Sequence, residues 1–258
     1  MPTWDSSQYL KFANERTQPA VDLAARIALE TPAEIVDLGC GPGNSTAVVA
    51  RRWPAAKLLG LDSSAEMIAA AKEQQPEWHW EMADIATWTT ENQQAFDLVF
   101  SNAALQWVPN HARVLPELLL RVKDGGALAF QVPADPNAPA HQIARTLTSS
   151  VTWKPFFATP VREWQVEEPS FYYDVLAERA TRLEMWTTDY YHVMSSAAGI
   201  VEWYRGTGLR PFLEKLSDPI DQERFIADYL QQLEKVYLPR SNGKVLFPFS
   251  RLFVVAYR

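Results

Sequence analysis

The sequence predicts an α/β fold built around a mostly parallel sheet. Over the first half of the chain, short apolar runs alternate with helix-like stretches, and a glycine-rich turn follows the first run. The predicted strands are Glu34–Leu38, Lys57–Leu61, Trp78–Met82, Asp97–Ser101 and Ala127–Val132. The predicted helices between them are Ser45–Arg52, Ala65–Gln74 and His111–Lys123. This alternation is typical of βαβ units, whose right-handed crossovers place helices on both faces of the sheet.

The second half of the chain is less regular and predicts a sheet edge with a lid beside it. A proline-rich tract at Asp135–Pro169 indicates a long excursion with short helices. Beyond it, the predicted helices are Phe171–Ala180, Ala197–Leu216 and Asp221–Val236, and the predicted strands are Leu183–Met194 and Val245–Tyr257, rich in β-branched and aromatic residues. We expect one domain over residues 1–258, with a core at about 30–135 and a lid from about 136–170 and 195–243.

Composition excludes several classes of protein. With 258 residues and 47% hydrophobic content, the chain can bury a core without disulfide or metal staples. A net charge of −7 argues against a general nucleic-acid binder, which needs a basic surface. Cys40 is the one cysteine, and the four histidines lack ligand spacing, so no metal site is expected. Neither a signal peptide nor a membrane span is visible, so we expect a cytoplasmic protein with no membrane partner. The oligomeric state stays open.

The turn after the first strand carries the strongest functional signal. The apolar strand runs into D-x-G-x-G-x-G, with Asp37 followed by Gly39, Gly41 and a third glycine. Glycines permit unusual φ values and let backbone approach a ligand. The dinucleotide fingerprint G-x-G-x-x-G has different spacing. An acidic residue before the turn suits a ligand with a cationic amino-acid tail and no phosphate, such as S-adenosylmethionine (SAM). The alternative is a tight turn without a ligand. Asn44 or Ser45 is expected to cap the next helix.

The second predicted strand also ends in an acidic residue. Asp62 follows an apolar run, and a carboxylate at this position can accept both ribose hydroxyls of a nucleoside. Ser63 or Ser64 is expected to cap the next helix, which carries Met67, and we assign Ser63 and Met67 to the cofactor site as well. The alternative is that Asp62 is only a helix cap.

Polar residues follow the third and fourth strands too. Asp84 can accept an adenine amino group while Ile85 packs on the ring, although aspartate is also common in turns. Asn102 ends the fourth strand, at the sheet edge where open α/β sheets bind ligands, and we assign it to the cofactor site, next to the expected methyl position. Trp107 is a candidate wall of the pocket or an ordinary core residue.

These motifs together resemble class I SAM-dependent methyltransferases. The resemblance rests on "VDLGCGPG", "GLDSS", "ADI" and "SNAALQW" in this order. It implies a seven-stranded sheet with an antiparallel last strand, and SAM as cofactor with S-adenosylhomocysteine as product. Members that esterify a carboxylate of a small tricarboxylic acid share further features, including "YLKFANERTQPAVDL", "TTDYYHVM", "TGLRPFLEKL" and "FPFSRLFVVA".

A carboxylate acceptor sets the expected substrate residues. It is ionised at pH 7, so no general base is required, and we expect positioning without a catalytic residue. Tyr190, Tyr191 and His192 are expected near the pocket mouth on one side and Arg251 on the other. Arg210, in the helical insertion, is expected to bind a carboxylate through its planar fork. The alternative is a surface or capping role for Arg210.

An amphipathic helix is predicted at Tyr9–Leu23. The resemblance implies that it folds over the cofactor, with Tyr9 or Arg16 near the SAM carboxylate, and we also assign Tyr9 to the substrate site. A docking helix without ligand contact is the alternative.

Three other functions remain open at this point. The first is methylation of another small acid or of a hydroxyl group. The second is NAD(P)-dependent oxidoreduction, against which the glycine spacing argues. The third is a SAM-binding regulator without catalysis, which would carry the same cofactor motifs.

Overall fold

A computed structural model of the protein describes residues 13–258, with side chains described from Glu15 onward. The strands in this part of the chain are β1 Glu34–Leu38, β2 Lys57–Asp62, β3 His79–Met82, β4 Phe96–Asn102, β5 Val122–Pro133, β6 Arg182–Met194 and β7 Val245–Tyr257. The helices are α1 Ala13–Arg26, α2 Asn44–Arg52, α3 Ala65–Gln74, α4 Ile85–Glu91, α5 His111–Leu120, α6 Pro139–Thr148, α7 Pro169–Ala177, α8 Ala197–Arg205, α9 Arg210–Leu213 and α10 Pro219–Val236. Short 3-10 turns lie at Leu105–Trp107 and Lys154–Phe157.

The strands form one seven-stranded sheet in the order β3-β2-β1-β4-β5-β7-β6. Parallel pairing joins β3 to β2, β2 to β1, β1 to β4 and β4 to β5. Strand β7 pairs antiparallel with β5. The α/β class and the antiparallel last strand are therefore confirmed. Since β1, β2 and β4 run in the same direction, their carboxyl ends lie at one edge of the sheet.

Several predicted boundaries are wrong for local reasons. The helix predicted at His111–Lys123 ends at Leu120, because Val122 is already paired with Phe96 in the sheet. The helix predicted at Phe171–Ala180 begins at Pro169, where a proline fits because the first helical N–H has no intrahelical acceptor.

The predicted helix Ala197–Leu216 is interrupted. It stops at Arg205 with Gly206 as its C-cap, and a short turn of helix resumes at Arg210. Between them, a Cβ added at Gly208 would overlap the Tyr204 ring, so only a glycine allows the backbone to lie this close to the ring. Neither α4 nor α6 was predicted as a separate element.

The described chain divides into two compact units. The sheet unit comprises residues 13–134, 165–188 and 251–258, and the helical unit comprises residues 135–164 and 189–250. In the sheet unit, β5 and the second half of β7 are buried along nearly their whole length, and α5 and α7 pack together beside the core. A single lid inserted into one domain stays a prediction.

The helical unit has its own core around α10, which packs against α6 and α8. Phe225 is fully buried there, with the Trp153 ring edge-on at 5.1 Å between centroids. Two polar bonds fix the helices: Tyr229 donates to the Ala140 carbonyl at 3.1 Å, and Trp153 Nε1 donates to Asp228 at 2.8 Å. The excursion with short helices is confirmed.

Within residues 13–258, no helix combines the length and the apolar character that a bilayer crossing demands.

The packing of β2 under Trp80 generates a stability prediction. A Cβ added at Gly60 would overlap the six-membered ring of Trp80, which is itself 5% exposed and held by its indole N–H to the Gln75 carbonyl. We expect Gly60→Ala to lower the free energy of unfolding by about 1–3 kcal/mol, since overpacking forces neighbouring side chains out of their rotamers. Urea denaturation measures the change.

Gly199→Ala is the matched control. Gly199 lies in α8, where a new methyl would meet only the flexible Met194 side chain and its Cβ at 3.2 Å, and alanine favours the helix. An equal loss of stability in both variants would contradict the role assigned to Trp80.

Candidate functional site

The turn between β1 and α2 has the backbone that the glycine pattern predicts. Gly39, Gly41 and Gly43 have φ values of +71°, +55° and +97°, a region that side chains with a Cβ rarely adopt. A Cβ added at Gly39 would overlap Ala104, so the turn lies directly against the loop after β4. A Cβ added at Gly41 would meet nothing within 4 Å. The backbone at Gly41 therefore faces open space, as a ligand-binding turn requires.

Hydrogen bonds attach this turn to the end of β2. The amides of Gly39 and Cys40 donate to the Leu61 carbonyl at 2.7 and 3.0 Å. The Gly41 amide donates to Asp62 Oδ2 at 2.9 Å, and Asp62 Oδ1 accepts from the Ser64 amide at 2.9 Å. Each carboxylate oxygen has a second lone pair, so Asp62 can still accept two further donors. Burial raises the pKa of Asp62, and these backbone donors oppose the increase.

Asp37 lies beneath the turn and is 1% exposed. Its Oδ2 accepts from Ser45 Oγ at 2.7 Å and from Thr46 Oγ1 at 2.6 Å, which fixes the first turn of α2 against β1. Among the residues that the structure describes, its buried Oδ1 has no hydrogen-bond partner. Burial raises the pKa of Asp37 to about 6, although the two hydroxyl donors lower it.

The predicted cap of α2 is wrong. The N-cap is Gly43, which has no side-chain bond to give, and Asn44 is already the first helical residue. Ser45 donates its hydroxyl to Asp37 instead of capping the helix. A buried carboxylate without hydrogen-bond donors is costly, whereas backbone groups can satisfy the end of the helix. For α3 the prediction is confirmed with Ser64, whose Oγ accepts from the Met67 amide at 3.3 Å.

The residues that follow β3 and β4 lie at the same carboxyl edge of the sheet. Asp84 is exposed and caps α4, accepting from the Thr87 amide at 3.1 Å. Ile85 is 8% exposed, and its Cδ1 lies 3.8 Å from the Cβ position of Gly39. After β4, Ala103 has φ +55°, a strained conformation for a residue with a Cβ. Strain of this kind is concentrated at functional sites.

A polar chain crosses three neighbouring strands at this edge. Asn102 Oδ1 accepts from Gln131 Nε2 at 2.7 Å, and Gln131 Oε1 accepts from Arg251 Nη1 at 3.4 Å. All three side chains are at least nine-tenths buried. The predicted residues Asn102 and Arg251 are thus linked through a glutamine.

The remaining predicted cofactor residues differ in their burial. Met67 is buried on α3, Ser63 is exposed at the end of β2, and Asn44 is half-buried at the start of α2. Arg16 is 5% exposed on α1, which packs against α2. Tyr9, and with it the start of the predicted N-terminal helix, lies outside the described residues. The structure brings together Gly39, Gly41, Asp62 and Ile85 most closely.

The predicted substrate residues lie on several different elements of the structure. Trp107 is half-buried in the 3-10 turn after β4. On β6, the rings of Tyr190 and His192 are parallel to within 8° at 6.4 Å, whereas Tyr191 points to the other face and is 63% exposed. Side chains on β6 therefore alternate between the two faces of the strand. Arg210 donates from Nε to Glu214 at 2.8 Å, one helical turn later.

Comparison with known proteins relates the chain to methyltransferases. A family model described as a methyltransferase domain matches residues 35–126. A curated trans-aconitate 2-methyltransferase from Azoarcus sp. is 47% identical over 258 residues, which is all of both chains. The Escherichia coli protein of the same name is 43% identical over 258 residues, all of this chain and 99% of the relative. The chain belongs to the trans-aconitate 2-methyltransferase family.

Solved structures confirm the fold of this family member at much lower identity. The YcgJ protein from Bacillus subtilis superposes with a TM-score of 0.60 at 14% identity, covering 93% of this chain and 99% of that one. A Haemonchus contortus phosphoethanolamine N-methyltransferase solved with S-adenosyl-L-methionine gives a TM-score of 0.57 at 13% identity, covering 97% of this chain and 57% of that one.

Sequence reasoning missed two contributors to this candidate site. Gln131 is fully buried within the otherwise apolar segment Ala127–Val132, and that polar residue in an apolar run was the available signal. Thr46 shares Asp37 with Ser45, but its position in the first helical turn gave no indication of an acceptor behind it.

The buried Asp37 generates a pH prediction. An acid whose folded pKa is raised from 3.8 to about 6 keeps its proton in the folded state while the unfolded chain has lost it, so stability falls as pH rises from about 4 to 6. Asp37→Asn retains an acceptor for the two hydroxyls and has no charge to bury. We expect its free energy of unfolding, relative to wild type, to increase by about 2 kcal/mol between pH 4 and pH 7.

Guanidinium denaturation at several pH values measures this difference. Asp124→Asn is the control, because the Asp124 side chain is 93% exposed and its substitution should give a nearly flat difference. A flat profile for Asp37→Asn as well would show that Asp37 is not protonated by burial.

Proposed function

We propose that the protein transfers a methyl group from SAM to one carboxylate of trans-aconitate, giving the monomethyl ester and S-adenosylhomocysteine. The observation that carries this proposal is 47% identity, over the whole of both chains, to a trans-aconitate 2-methyltransferase. Similarity over the full length includes the helical unit as well as the glycine turn. The acceptor-binding part of the chain is therefore included in the similarity.

The described residues fit SAM as the cofactor. Glycine backbone facing open space at Gly41 leaves room for the ligand, and the Asp62 carboxylate beside it has lone pairs for two ribose hydroxyls. Ile85 offers an apolar surface beside the turn, and the exposed Asp84 retains acceptor capacity for an amino group. We assign Asn44, Ser63, Met67 and Arg16 to the same site. When bound, SAM supplies an activated methyl group.

The protein's own contribution is to bind and orient the acceptor acid. A carboxylate is already ionised at neutral pH and needs no base to activate it. In agreement, two histidines are unsuited to proton transfer. His111 donates from Nε2 to the Leu105 carbonyl and has the Tyr172 hydroxyl on Nδ1, and burial lowers its pKa. Burial, with the nearby Arg145, lowers the pKa of His141 to about 3. Catalysis through positioning is supported by these contacts.

We propose that cationic and polar residues hold the carboxylates of the acid. Arg210 is 87% buried through its side chain, which is unusual for an arginine whose partner Glu214 is itself exposed. Tyr190 and His192 lie on one face of β6, and Arg251 lies buried on β7. Trp107, Tyr9 and Tyr191 are the further assigned residues, with Tyr191 the least supported because it lies on the opposite face.

The alternative functions differ in their support. Methylation of another small acid would use the same residues, and product analysis distinguishes it. The glycine spacing argues against NAD(P)-dependent oxidoreduction, and a regulator without catalysis would bind SAM without turnover.

The proposed reaction is tested directly by turnover. With SAM and trans-aconitate, we expect release of S-adenosylhomocysteine and a trans-aconitate monomethyl ester detectable by mass spectrometry. Arg210→Ala should raise KM for trans-aconitate by about 10- to 100-fold, because a charge-assisted hydrogen bond to a carboxylate is lost. Arg205→Ala is the control, since Arg205 also pairs with a glutamate at 2.8 Å. Equal KM values for both variants would remove Arg210 from the substrate site.

The assignment of Asp62 is tested by cofactor affinity. Asp62→Asn places an NH₂ group opposite one of two backbone donors and removes one ribose acceptor, so Kd for S-adenosylhomocysteine should rise about tenfold or more. Asp97→Asn is the control, because Asp97 also accepts two backbone amides, those of Ala33 and Glu34. Calorimetry showing unchanged affinity for Asp62→Asn would disprove the ribose assignment.

A further inference from the structure

Asn102, Gln131 and Arg251 form a polar chain inside a sheet whose surroundings are apolar. Asn102 is paired with Gln131 across β4 and β5, and Arg251 is paired with Pro133 across β7 and β5. Gln131 is completely buried, and the strand residues on both sides of it, Phe130 and Val132, are also fully buried and apolar. A buried amide in this environment is costly unless both of its ends are bonded, and both ends of Gln131 are.

The arginine determines the direction of every bond in this chain. A guanidinium has donors and no acceptor, so Gln131 must turn its Oε1 toward Arg251. The other end of the amide, Nε2, then faces Asn102, where only an oxygen can accept. Asn102 therefore turns its Oδ1 inward and its NH₂ group away from Gln131.

The Asn102 NH₂ group is left as a donor at the carboxyl edge of the sheet. Among the residues that the structure describes, no acceptor lies within hydrogen-bonding distance of it. This nitrogen is not among the fully enclosed polar atoms, although the residue as a whole is 9% exposed. The next residue is the strained Ala103, followed by Ala104 against the glycine turn. A donor with restricted access, next to a ligand-binding turn, suits an anionic oxygen.

We propose that Gln131 is a positioning residue that presents the Asn102 N–H donor to a carboxylate of the acceptor acid. The charge on Arg251 acts through the two amides and thereby selects an anionic acceptor over a group that donates hydrogen bonds. This inference rests on the proposed function, since the acid it names is the substrate proposed above.

The test exchanges one end of the Gln131 amide. Gln131→Glu keeps the shape and the acceptor for Arg251 but has no donor for Asn102, so Asn102 rotates and presents its oxygen instead. We expect KM for trans-aconitate to rise about tenfold or more, with kcat and with Kd for S-adenosylhomocysteine within about twofold of wild type. Asn102→Asp, which retains the acceptor for Gln131 but replaces the donor with a negative charge, should raise KM further.

Ser101→Ala is the matched structural control. Ser101 is fully buried on β4 beside Asn102 and donates to the Leu38 carbonyl at 2.8 Å, so its removal breaks a buried hydrogen bond outside the polar chain. We expect a lower Tm for this variant and an unchanged KM. A Gln131→Glu variant that also loses Tm and cofactor affinity in proportion to KM would show a purely structural role and overturn the proposal.

The remaining outcomes separate this inference from the proposed function. If wild type methylates trans-aconitate and Gln131→Glu has the same KM, the positioning role is wrong and the proposed function stands. If wild type gives no ester, and trans-aconitate titrated into the complex with S-adenosylhomocysteine gives no heat, the proposed function fails and the substrate named here fails with it.

Discussion

The attachment of the glycine turn to the end of β2 is the constraint on which the site depends. Three consecutive amides, those of Gly39, Cys40 and Gly41, donate to the Leu61 carbonyl and to Asp62. These bonds form only because the glycines adopt positive φ values. They bring the first two strand ends into one cradle, and the loop after β4 closes against it at Ala104. Hydrogen bonds within the protein itself therefore fix the backbone of the candidate site.

Several energetically unfavourable features occur at this same edge of the sheet. Burial raises the pKa of both Asp37 and Asp62, which means that the surroundings oppose their ionised forms. Ala103 is strained, and Asp37 retains one oxygen that no described residue satisfies. The apolar packing of the sheet unit offsets these costs. A region that is locally unfavourable but held in place by its surroundings is typical of a functional site.

The polar groups of the chain agree with chemistry that needs orientation and no proton transfer. His111 is bonded at both ring nitrogens and His141 is kept neutral by burial, so each stabilises local packing. In contrast, Arg251 bonds to Gln131 and Gln131 bonds to Asn102. The fixed charge of Arg251 thereby determines how the Asn102 amide is oriented, and no proton moves. An ionised acceptor demands this kind of static arrangement.

The sequence by itself determined the α/β class, most strand positions, the glycine turn and Asp62, because apolar periodicity and glycine spacing are local properties of the chain. Only the tertiary structure decided which side chains form hydrogen bonds with each other. Ser45 bonds Asp37 although capping was predicted, Gln131 joins two strands that are distant in sequence, and Arg210 pairs with Glu214. The physical reason is that a hydrogen bond depends on the distance and direction between two groups. Folding brings together partners that are far apart in sequence, and their separation in sequence predicts neither the distance nor the direction.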